Sequence, residues 1–166
     1  MILGMATSTY TLIHVVISLI GIGSGIVVLW GMIRSKPLDG ITAIFLTFTV
    51  LTSLTGFGFP FTHVTPGIIV GVISMVLLAL AIAARYGFRL AGAWRLIYVV
   101  TASMALYLNV FVLVVQSFEK VPALHALAPM QSEPPFVAAQ LFVLVLFIIL
   151  TLFAGRKFRP APMSAA

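Results

Sequence analysis

The side chains suited to chemistry in this sequence are His14, His63, His125, Asn109, Gln140, Glu119 and Glu133. Imidazole nitrogens ligate metals and haem iron, and they take up protons near neutral pH. On that chemistry His14, His63 and His125 are the candidate metal ligands. His14, Asn109, His125 and Gln140 are the candidate cofactor-binding set, in which the two amides would orient a haem, a metal or a quinone headgroup. Glu119 and Glu133 would exchange protons with solvent. Both lie with His125 in the stretch SFEKVPALHALAPMQSEPP, residues 117–135.

What must position these groups follows from composition. The 166 residues are 62% hydrophobic and 7% charged, and mean hydropathy is +1.25. A soluble domain carries roughly a quarter charged residues, so this chain reads as an integral membrane protein. Five apolar stretches are long enough to cross a bilayer as helices, at about Thr11–Ile33, Ile41–Phe59, Pro66–Ala84, Ala93–Val115 and Phe136–Phe153. Runs such as LFVLVLFIILTLF do not alternate, which excludes a transmembrane barrel. The fold class is an all-α, polytopic bundle: a five-helix transmembrane domain over residues 1–155 and a basic tail over 156–166, read as frayed.

The basic residues set an expected orientation. Arg34, Lys36, Arg85, Arg89, Arg95, Arg156, Lys157 and Arg159 fall on one side of a five-span topology, and Lys120 on the other. Short loops rich in Lys and Arg stay in the cytoplasm. That rule places the N-terminus outside and the C-terminus inside, in a bacterial inner (plasma) membrane. It also explains the net charge of +6 without nucleic acid; the basic residues meet membrane lipid, and Arg95 snorkels to headgroups. No basic residue precedes the first apolar run, so that run reads as a retained helix, not a cleaved leader.

With orientation assigned, all three histidines belong to the outer half. At 1.5 Å rise per residue, His14, Asn109 and Gln140 fall in neighbouring layers. Thr49, Thr52, Ser53 and Thr55 line the outer half of the second span. The long linker is expected to form a short interfacial helix near 121–128, begun by Pro122 and ended by Pro129, that caps the outer end. The inner halves read as almost wholly apolar.

Other signals are structural. GIGSG, residues 21–25, lacks dinucleotide-binding spacing and lies inside a span; Gly21 and Gly25, like Gly67 and Gly71, read as small-residue faces for close helix approach. The sequence has no HExxH motif and no cysteine, which excludes zincin and thiolate chemistry. Three function classes follow. The first is a structural or assembly subunit in a homo-oligomer or larger membrane-protein complex. The second is a redox or cofactor-binding protein with His14 as first ligand, against which stands the fact that His14 alone among the histidines lies inside a span. The third is an oligomeric transporter or channel; the apolar inner halves disfavour a continuous path within one protomer and leave an oligomeric pore open.

Overall fold

The computed structural model describes Ile2, residues 4–60 and residues 65–160. In hydrocarbon every backbone polar group needs an internal partner, and a helix supplies one within each segment. Five long helices result: α1 (Thr7–Ile33), α2 (Asp39–Phe57), α3 (Pro66–Ile82), α4 (Trp94–Lys120) and, after the six-residue α5 (Pro122–Leu127), α6 (Pro134–Lys157). All five, α3 taken with its continuation to Gly87, are long and apolar enough to span a membrane. The fold is an all-α membrane bundle, and α5 falls within the segment expected to be a short helix.

Local sequence explains where the helices start and bend. Pro66 opens α3 behind Thr65, whose hydroxyl accepts from the Ile68 N–H at 3.4 Å. Pro122 and Pro134 occupy the first turns of α5 and α6, where a missing N–H costs nothing. At its far end α3 widens into a π-helical turn over Ala83–Gly87. Helix ends extend beyond the apolar windows: α4 runs five residues past Val115 and α6 four past Phe153. Hydropathy marks where hydrocarbon stops, whereas the backbone ladder continues through polar turns.

The helices form a closed ring in which α1 packs on α2, α2 on α3, α3 on α4, α4 on α6 and α6 back on α1, with α4 also crossing to α1. Tight approach of α1 depends on glycine. A Cβ on Gly25 would lie 2.6 Å from Leu106 Cδ1 and 2.8 Å from the Phe45 ring, and one on Gly21 would lie 3.3 Å from Thr49 Oγ1. This small-residue face therefore joins helices within the chain, to α2 and α4.

One end of the bundle, here the basic end, gathers the α1–α2 and α3–α4 connections and the end of α6. Most of the close-packed core lies in that half, including Met32, Phe45, Leu78, Tyr98, Val99 and Phe158. Phe158 is fully buried against Tyr98, ring centroids 6.0 Å apart. The first residues of the expected tail thus belong to the bundle, while 161–166 lie outside the described residues. Burial is uneven: in the most apolar window of α4, 44% of residues are buried, against 6% for α6.

Candidate functional site

At the end opposite the basic one, His14 projects from α1 onto α2. Its Nδ1 lies 2.7 Å from Thr55 Oγ1. The Thr55 hydroxyl donates to the Leu51 carbonyl at 2.7 Å, the usual back-bond of a helical threonine. With that proton committed, Oγ1 accepts and His14 carries its proton on Nδ1, leaving Nε2 as the lone-pair nitrogen. Tyr10, one turn earlier, donates to the Thr55 carbonyl at 2.8 Å. Phe59 stacks edge-on against both rings, at 5.1 Å from Tyr10 and 5.3 Å from His14. A polar clasp thus closes α1 on α2.

The amides serve a different helix pair. Gln140 Nε2 donates from α6 to the Phe111 carbonyl of α4 at 3.2 Å. Its Oε1 and the Nδ2 of buried Asn109 have no partner among the described residues. Gln131 reaches from the linker to the Val115 carbonyl at 3.0 Å. The linker is further tied by Glu133, whose carboxylate accepts from the Met130 and Ser132 N–H groups, each at 3.0 Å. Desolvation, the largest single influence, pushes the Glu133 carboxyl up. The backbone donors and the nearby His125 charge outweigh it and hold the group below its ordinary 4.5.

The hydrogen bonds of the expected site residues divide between two helix pairs. The structure brings His14 to Thr55 and Gln140 to the α4 backbone, and it leaves His125 exposed on α5. His63 lies outside the described residues. Among the described residues, no group of three His, Asp or Glu side chains is placed to hold one metal ion.

The basic end holds a polar cluster that the sequence reading passed over, having assigned Arg85 to a lipid-facing linker. Arg85 is 0% exposed. The π-helical turn carries it inward, where Nη2 pairs with the Asp39 carboxylate at the start of α2 and donates to the Pro37 carbonyl at 3.0 Å. Its guanidinium carbon lies 5.2 Å from the Tyr98 ring centroid and 5.8 Å from that of Tyr86. Buried Thr42 donates to the same Pro37 carbonyl at 3.1 Å. The connecting chain is shaped to fit, with Ser35 and Leu38 at φ 56° and 43°. The available signal was Asp39, an acidic residue amid eight basic ones. Arg95 also departs from expectation: instead of snorkelling, its Nη1 donates to the Gly155 and Phe158 carbonyls at 3.0 and 2.6 Å, closing the end of α6.

Between α4 and α6 lies a lateral groove of about 180 Å³ lined by residues including Val100, Met104, Tyr107, Leu144, Ile148 and Leu152. Chemically, the molecule thus offers one oriented imidazole, one buried ion pair and one apolar groove. No known protein family, curated protein or solved structure matches this chain.

Proposed function

We propose that this protein is a structural or assembly subunit that packs in a larger complex of the bacterial inner membrane, with its basic end in the cytoplasm. The observation that carries this reading is how two of the polar side chains at the histidine end are used. His14 and Gln140 join neighbouring helices, α1 to α2 and α4 to α6, as polar residues do in membrane bundles where they act as glue. Beside them, the linker presents Leu127 at 57% and Met130 at 80% exposure. Exposed apolar side chains flanking a span suit contact with another subunit.

The test is purification of tagged protein from its native membrane in mild detergent, with absorption spectra and subunit stoichiometry measured together. The reading expects a partner at fixed ratio that is lost in the double variant Leu127→Glu, Met130→Glu. A stoichiometric chromophore, or a ratio untouched by the double variant, would overturn it.

A redox or cofactor-binding role has one specific support. A ligating histidine commonly donates its other ring N–H to an oxygen acceptor, and the Thr55 hydroxyl oxygen, its own proton turned to Leu51, stands 2.7 Å from His14 Nδ1. A haem or metal signal abolished by His14→Ala in the same preparation would establish that role instead.

A further inference from the structure

We propose that the α4–α6 groove is a binding site for an anionic phospholipid, one acyl chain lying in the groove and the phosphate meeting cations at its basic end. This reading is independent of the subunit role. Three features carry it: the groove wall, its depth and the charge at its mouth.

The wall is hydrocarbon. Val100, Met104 and Tyr107 from α4 face Leu144, Phe147, Ile148 and Leu152 from α6. Ser103 Oγ is covered, so it offers little to a polar headgroup. Besides Ser103, only Tyr107 and Thr151 bring hydroxyls to the wall, too few for a polar ring, whereas a hydrocarbon chain needs none.

The depth matches a chain that begins just beneath a headgroup. Val100 stands six residues into α4 from Trp94, and Leu152 five residues before the end of α6, so the groove opens roughly 8 Å from the helix ends. It then continues for roughly 10 Å toward the bundle middle, along Val100–Tyr107.

Charge stands where the phosphate would. Leu144, Ile148 and Leu152 form one flank at four-residue spacing, and Arg156, exposed, is the next residue on that flank. The Arg95 guanidinium sits on the Gly155 carbonyl, and Gly155 itself meets Leu96, its added Cβ lying 3.3 Å from Leu96 Cδ1. Lys157 and Arg159 follow, both exposed. Asp39, the acidic residue at this end, is engaged by Arg85. A zwitterionic headgroup would bring an ammonium into this cationic field; an anionic one would not.

Native mass spectrometry of the purified full chain tests this, using phosphatidylglycerol and phosphatidylcholine with identical acyl chains. The wild type should retain one phosphatidylglycerol in preference to phosphatidylcholine by about fivefold or more, the effect of one basic residue at an anionic surface. Arg156→Gln should bring the two lipids close to parity. Thr151→Phe, which fills the groove, should lower retention of both. Ile149→Phe, on the exposed face of α6 turned away from the groove, should leave the preference intact and controls for added bulk. Inorganic phosphate or a dihexanoyl lipid should not compete, because neither fills the groove. Equal retention of both lipids by the wild type, an undiminished preference in Arg156→Gln, or full retention in a folded Thr151→Phe would each overturn the proposal.

Discussion

Arg85 illustrates what a single charge costs inside a bundle. Its guanidinium is wholly buried, while its partner Asp39 remains 70% exposed. Removing the carboxylate leaves the cation with the Pro37 carbonyl and two aromatic faces. Asp39→Asn should therefore lower stability by about 1.5–3 kcal/mol, the range for a hydrogen bond to a charged group. Adding Arg85→Met should recover part of that loss, because breaking a buried pair is worse than replacing both partners with apolar ones. Thermal denaturation in detergent checks the cycle, and losses that simply add would show that the two residues do not act as a pair. At the other end, Tyr10→Phe removes the bond to the Thr55 carbonyl and should cost about 0.6–2 kcal/mol. His14, Asn109 and Gln140 were legible in the sequence because polar residues stand out within apolar runs. Their partners were not: Thr55 and the Phe111 carbonyl depend on helix rotation, which a one-dimensional pattern leaves open. Arg85 was missed for a related reason. A π-helical turn adds a residue to the local repeat and re-aims a side chain that spacing alone assigns to the surface.

For the helices, close approach is the deciding quantity. Gly25 and Gly23 are two residues apart on α1, yet a Cβ on Gly25 would strike Leu106 and Phe45, and one on Gly23 would meet nothing within 4 Å. Gly25→Val should destabilise by about 1–3 kcal/mol through overpacking. Gly23→Ala should be neutral or stabilise by up to about 1 kcal/mol, since helix propensity improves without a clash. Equal behaviour of the two variants in a thermal melt would contradict the packing of α1 on α2 and α4. The linker before α6 answers to pH instead. Glu133 is held below its ordinary 4.5 by the Met130, Glu133 and Ser132 N–H groups and by His125. A depressed carboxyl stabilises above its unfolded pKa, and that contribution is lost as pH falls through the folded one. Hydrogen exchange at the Met130 and Ser132 amides, scaled to an unstructured reference at each pH, should accelerate through that acid range in the wild type and show no such step in Glu133→Gln.

In the whole molecule, eight of nine basic residues reach one end, and contacts such as Arg95 to Gly155 and the Arg159 N–H to Ser35 Oγ at 2.8 Å bring the connections of that end together. The number of spans, and with it which loops share an end of the bundle, was readable from hydropathy. The ring order was not, because all five apolar helices have nearly the same surface chemistry. The absence of native cysteine makes orientation directly measurable. Ser132→Cys should react with an impermeant maleimide in intact cells, and Arg89→Cys only after permeabilisation; the reverse pattern would invert the assignment. The uneven burial of the helices has a mechanical corollary. With 6% of its window buried against 44% in α4, α6 is the least enclosed of the spans, tied by Gln140 near one end and Arg95 at the other. Pulled from its C-terminus, the chain should peel away α6 as a first, low-force event, and α4, next in the line of force, should leave only at a higher one.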